Sequence, residues 1–272
     1  MGKNSSIEWT HHTFNPWWGC VKVSPACTHC YAEAWAKRVG KNVWGLKSSR
    51  RFFTDAHWRE PLRWHAEAER TESTPRVFCA SMADVFEDRP ELGEHRTRLF
   101  RVIERTPRLQ WLLLTKRPEH ALRLARASGW SGDWPRNVWA GTTVESQEYA
   151  VERIPELVAL PARIHFLSCE PLLGPVDLRP WLGRLDWVIA GGESGGKSRP
   201  MAEAWPLAIR DQCIAAGVPF HFKQWGDWAP VAVTMKRLGK KTAGRELEGR
   251  TWDELPEAWF RPLPAGTIAM AV

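Results

Sequence analysis

The chain predicts an α/β fold, a complete or partial (β/α) barrel of the TIM type with parallel strands, and three observations lead there. From Arg76 onward, six short apolar runs alternate with helical stretches at the spacing of βα units. Every run ends in a polar cluster, and right-handed crossovers would bring all those ends to one side of the sheet, where barrels build their sites. A length of 272 residues suffices for one such barrel or for two smaller domains.

The elements follow in order. Residues 1–19 read as an irregular segment, with one strand leading into Cys20. A helical stretch starts at Cys30, and 41–72 reads as a loop with a short helix. The strands are expected at Arg76–Ala80, Gln110–Leu114, Asn137–Gly141, Arg163–Leu167, Leu185–Ala190 and Pro219–Phe222. Helices are expected near 91–106, 119–128, 147–159 and 203–216. Residues 1–228 would form the barrel and 229–272, rich in Gly, Lys and Pro, a C-terminal extension.

Composition is that of an ordinary globular protein, 43% hydrophobic and 25% charged, and no apolar run reaches membrane-spanning length. No membrane association is expected. The N-terminal residues lack the apolar core of a secretory signal, so a cytoplasmic location is expected. A net charge of +7 is compatible with a nucleic-acid partner. The positive charge is spread along the whole chain, however, and 27 Arg against 11 Lys is what a GC-rich genome gives without functional cause. A monomer is expected, with room for a partner protein.

Cys20, Cys27 and Cys30 fall within eleven residues, in the pattern C-x6-C-x2-C. In a reducing compartment such a cluster more often holds metal than a disulfide. Three thiolates can anchor a [4Fe–4S] cluster by three irons and leave the fourth open. The alternatives are a Cys3His zinc site completed by His11, His12 or His29, and plain free thiols. A closed zinc site usually draws on a second knuckle, and no second C-x2-C or C-x-H pair appears in this chain. Cys79, Cys169 and Cys213 are isolated and read as buried small hydrophobes.

The motifs FNPWWGC, VSPACTHCYAE, SMADVFED, LLTKRPE, WAGTTVE, FLSCEPLLGPV, WVIAGGESGGKSRP and PFHFKQWG run nearly the full length. With them the chain resembles a phage- and bacteria-associated three-Cys-motif family. It is similar at a distance to radical S-adenosylmethionine enzymes, with spore photoproduct lyase, which reverses a thymine–thymine lesion in DNA, as thematic relative. The first cysteine interval is six residues where that superfamily usually has three, and His29 stands where an aromatic ring is common.

The resemblance implies an iron–sulfur enzyme cleaving S-adenosylmethionine to start radical chemistry on a nucleic-acid base, in repair or modification. Its cofactors would be a [4Fe–4S] cluster on Cys20, Cys27 and Cys30, and S-adenosylmethionine. Gly191, Gly192, Glu193 and Ser194 follow a late strand, like the glycine-containing strand that cradles adenine and ribose in that superfamily. Ser81 and Asp84 stand where the second strand presents its cofactor contacts. Strand-end turns and helix caps would use the same residues. Lys116, Arg117, Lys197, Arg199 and Lys223 could hold phosphates or a carboxylate, and Glu145 and Glu170 could meet substrate or ribose. Trp139 and Trp225 are candidates for the pocket wall, against core packing. The alternative function is a zinc-stabilised nucleic-acid-binding protein without radical chemistry.

Overall fold

A computed structural model describes residues 2–256. Seven parallel strands pair in sequence order into an open half-barrel. They are β1 (His12–Thr13), β2 (Arg76–Cys79), β3 (Gln110–Thr115), β4 (Val138–Thr143), β5 (Ile164–Cys169), β6 (Trp187–Gly191) and β7 (Phe220–Gln224). The partial TIM-type barrel expected from the sequence is therefore present, including the strand ahead of Cys20. The helices are α1 (Tyr31–Arg38), α2 (Asp55–Trp58), α3 (Glu60–Arg70), α4 (Gly93–Glu104), α5 (Pro118–Ala127), α6 (Gln147–Val158) and α7 (Ala204–Ala216). Residues 41–72 hold more helix than expected. Trp64 and Ala68, four apart on α3, bury one face of an eleven-residue helix.

The strands are nearly continuous in apolar residues because both faces are covered. Alternate residues separate the faces with period two. Val77, Trp111, Leu113, Ala140, Leu167, Val188 and Phe222 belong to the main core. Phe78, Leu112, Trp139, Phe166, Trp187 and Ile189 point the other way and join Trp9 in an aromatic cluster inside the half-barrel. There Trp9 meets Phe78 at 4.6 Å between ring centroids, and Trp187 crosses Trp139 edge-on at 6.0 Å. Gly141 makes room for this floor, since a Cβ at that position would collide with the Phe166 ring.

Both sheet edges are covered, as exposed strand edges invite foreign pairing. At β1, the Thr13 amide bonds the Gly2 carbonyl at 3.0 Å. Beyond β7 come an antiparallel hairpin, β8 (Trp228–Val231) and β9 (Thr234–Arg237), and the four-residue helix α8 (Lys240–Ala243). The chain then returns along β7. The Phe222 amide bonds the Trp252 carbonyl at 2.9 Å, and the Trp187 indole N–H bonds the Glu254 carbonyl at 2.8 Å. Leu247 and Trp252 thus belong to the main core although they lie in the expected extension, whose residues 257–272 are outside the described part. Among the described residues no helix is long and apolar enough to cross a membrane.

Candidate functional site

Above the aromatic floor, the inward positions turn polar towards the C-terminal strand ends. Lys116, Thr143, Ser168, Glu170 and Lys223 follow Leu114, Gly141, Phe166 and His221 at period-two spacing and line a cavity of about 370 Å³. Its upper wall is the loop carrying Cys20, Cys27 and Cys30, so the three thiols and the strand ends share one space. All six cysteines are unpaired, and Cys79, Cys169 and Cys213 are fully buried in the core as expected.

The cysteine loop is held from several sides. The Gly19 amide bonds the Met82 carbonyl at 3.0 Å, and the Gly45 amide bonds the Cys20 carbonyl at 3.0 Å. Arg50 fixes the loop that supplies Gly45. Its guanidinium pairs with Glu87 at 2.6 Å and donates to the carbonyls of Val43 and Ser48 at 3.0 and 2.8 Å. Cys27 closes a single 3-10 turn, Pro25–Cys27. Cys30 caps α1, whose Ala34 amide bonds the Cys30 carbonyl at 3.1 Å. Tyr31 leaves much of its ring exposed, but its hydroxyl reaches inward and donates to the Ser81 carbonyl at 2.8 Å.

One buried relay joins this loop to β3. Asp84 Oδ1 accepts from the Thr115 hydroxyl at 2.7 Å and the Phe86 amide at 3.0 Å. Its Oδ2 accepts from the Lys116 amide at 3.0 Å and Arg117 Nη1 at 2.9 Å. Arg117 also donates from Nη2 to the Val21 carbonyl at 2.7 Å, and its Nη1 lies 3.6 Å from Cys20 Sγ. Four donors occupy the four lone-pair directions of one carboxylate, leaving Asp84 nothing to offer a ligand. Burial opposes its ionisation, but the Arg117 guanidinium and the amide and hydroxyl donors prevail and hold it below the usual carboxylate range. Burial pushes the Cys20 thiol up to about 12 although Arg117 pulls the other way, and burial likewise raises Cys30.

The other predicted residues fall in different surroundings. Lys116, Glu170, Lys223, Ser81 and Ser194 line the cavity. Lys223 Nζ sits 2.5 Å from Glu170 Oε2, while Glu170 Oε1 is buried without a hydrogen-bond partner. Lys116 Nζ donates to the Thr143 hydroxyl at 3.2 Å. Glu145 lies outside the cavity, fully buried and paired with Arg153 of α6 at 2.9 Å. β4 ends at Thr143, and the carboxylate two residues beyond it is engaged by α6 instead of the cavity.

Gly191, Gly192 and Glu193 serve the junction of β6 and β7. A Cβ on Gly192 would strike the Trp225 carbonyl, so only glycine permits that approach. A Cβ added to Gly191 would make ordinary contact with Glu170 and Lys223, at 3.4 and 3.5 Å. Glu193 is taken by Arg199 in a two-pronged pair at 2.9 and 2.7 Å. Arg199 also donates to the Pro25 carbonyl at 3.0 Å, tying this loop to the cysteine loop. Lys197 is exposed on a neighbouring groove. Trp139 and Trp225 are core residues.

Tyr31, Thr143 and Lys240, to which the sequence assigns no site role, also line the cavity, as does Ser168, one of the polar strand-end residues expected at the mouth. The signal for Thr143 and Ser168 was present, as each sits two residues past an inward position of its strand.

His11 and His12 line a separate depression with Trp64 and Glu67, so neither completes a zinc site with the cysteines. Among the described residues, no three His, Cys, Asp or Glu side chains are gathered closely enough to hold one metal ion. A mononuclear zinc needs its thiolates at about 2.3 Å from one point. Three unpaired thiols placed around a shared cavity, with His29 on the adjoining groove beside Cys30 and not on the cavity lining, fit in number and chemistry a cluster anchored from several sides.

Residues 4–256 match the model of a family described as protein of unknown function (DUF5131), and the chain belongs to that family. No curated protein and no solved structure matches it.

Proposed function

We propose that this chain is an iron–sulfur enzyme that reductively cleaves S-adenosylmethionine to start radical chemistry on a nucleic-acid base. The observation that carries the proposal is the meeting of three unpaired cysteines with the polar mouth of a parallel half-barrel. Cys20, Cys27 and Cys30 would hold a [4Fe–4S] cluster by three irons, leaving the fourth for a non-protein ligand. When bound, the cluster supplies the electron that breaks a sulfur–carbon bond of S-adenosylmethionine.

The chain's own residues contribute binding, orientation and shielding. Arg117, locked by Asp84, steadies the Cys20 sulfur and places positive charge beside it. Lys116, Lys223 and Glu170 offer charges of both signs to a zwitterionic ligand, and Glu170 Oε1 has acceptor capacity to spare. The aromatic floor closes the opposite end of the half-barrel to water, which a reactive intermediate requires.

The test is turnover under anaerobic conditions. Protein reconstituted with iron and sulfide, then given reductant and S-adenosylmethionine, should release 5′-deoxyadenosine and methionine. A fully loaded protein that neither binds nor cleaves S-adenosylmethionine would defeat the proposal.

A further inference from the structure

A second depression runs beside the cavity, a groove of about 980 Å³ along α1. It is continuous with the cavity, because Lys22, Cys30, Tyr31, Ser81 and Ser194 border both. Two aromatic rings stand on its α1 wall, Tyr31 and Trp35, four residues apart and therefore on one face of the helix. They are 58% and 41% exposed, unusual for such large rings and unlike the other tryptophans, most of which are buried.

The groove is also cationic. Lys22, Lys37, Arg38 and Lys197 line it against one carboxylate, Glu33. Glu33 is shared between Lys37 at 2.7 Å and Lys22 at 2.8 Å, so one carboxylate serves two ammonium groups. Among the lining residues, three positive charges remain in excess. Exposed rings interleaved with uncompensated cations match a chain that alternates phosphates with flat bases. The bases must be unpaired, since a duplex hides their faces from Tyr31 and Trp35.

We infer that this groove binds single-stranded nucleic acid, stacking bases on Trp35 and Tyr31 and holding phosphates with Lys37, Arg38 and Lys197. A strand lying there passes the edge of the cavity at Tyr31 and Cys30, where one nucleotide can turn inward, as enzymes acting on bases require. The inference extends the proposal above by naming the substrate class and its path, and binding in the groove needs no cluster.

Cluster-free protein titrated into a fluorescein-labelled oligothymidylate of about 20 nucleotides, longer than a typical 4–16-nucleotide site, provides the test by anisotropy. Affinity should fall with salt, with a logarithmic slope of about 0.7 per phosphate engaged. Trp35→Ala should weaken binding roughly 5- to 150-fold, the range for loss of one stacked base. Lys37→Gln and Arg38→Gln should each reduce the slope by about 0.7. Arg179→Gln, an exposed change outside the groove, should alter neither. Thermal melting of each variant verifies folding, and all these side chains are surface groups.

An oligouridylate tested in parallel distinguishes RNA from DNA as the source, and a preference for either agrees with the inference. Duplex DNA bound as tightly as the single strand would overturn it. So would wild-type affinity in Trp35→Ala and Lys37→Gln together, or no binding at low salt. Release of 5′-deoxyadenosine without oligonucleotide binding would remove the groove and leave the enzyme; binding without release would do the reverse.

Discussion

The two ends of the half-barrel interior are built from opposite materials. At the N-terminal end, Trp9, Trp139, Phe166 and Trp187 fill the space with rings and leave Gly141 no room for a side chain. At the C-terminal end, the same strands present Lys116, Thr143, Ser168, Glu170 and Lys223 around an open cavity roofed by three thiols. A few residues along each strand separate the two. The floor derives its stability from buried area, whereas the mouth holds its shape through saturated polar networks such as Asp84 with Arg117. Substitutions in the floor should therefore cost stability and spare ligand binding, and those at the mouth should do the reverse except where a buried charge is orphaned.

The largest loss of stability is expected in the floor. Trp187→Ala should destabilise the fold by about 4 kcal/mol in urea unfolding, a typical cost of truncating a buried large aromatic. The iron content of the molecules that remain folded should not change. A cost under about 1 kcal/mol would mean that the rings are not the closing layer they resemble.

Asp84→Ala comes next, at about 3 kcal/mol, because it strands the buried Arg117 guanidinium. Unlike the floor substitution, it should also weaken retention of iron by releasing Arg117 from Cys20. The pH dependence has a definite sign. Asp84 has its folded value below the unfolded one, so its contribution is present above about pH 4 and is lost as pH falls through the folded value. Acid unfolding followed by fluorescence should show this component in the native chain and lack it in Asp84→Asn.

Gly141→Ala should cost about 2 kcal/mol through overpacking against Phe166. Glu170→Gln should be the mildest for stability, about 1 kcal/mol, because the amide oxygen can still accept from the mostly buried Lys223 ammonium. It should nevertheless weaken binding of S-adenosylmethionine, measurable by calorimetry. Unchanged affinity would exclude Glu170 from the ligand's surroundings.

The order of strands and the side of the sheet that carries the polar clusters were legible in the sequence because period two and strand-end chemistry are local signals. Glu145 and Glu170 show where locality fails. Each lies just beyond its strand, two residues after an inward side chain, yet only Glu170 keeps that direction. Glu145 pairs instead with Arg153, a partner eight residues away on the next helix. Gly192 and Glu193 read as a ligand motif, but their reason lies in Trp225 and Arg199, contacts made only after β6 and β7 have paired. The helix within 41–72 is longer than expected because Trp64 and Ala68 give the apolar stripe of α3 too few large residues to stand out among His, Arg and Glu.

The six cysteines provide the most direct test, because three sit at the mouth and three in the core of the same molecule. Each is replaced in turn by Ala, and iron and sulfide are measured per chain after anaerobic reconstitution. Cys79→Ala, Cys169→Ala and Cys213→Ala should keep about four irons, losing at most about 1 kcal/mol of stability. Cys20→Ala, Cys27→Ala and Cys30→Ala should each lose the cluster while staying folded. Iron that survives all three mouth substitutions, or zinc bound in its place after strictly anaerobic preparation, would contradict the account.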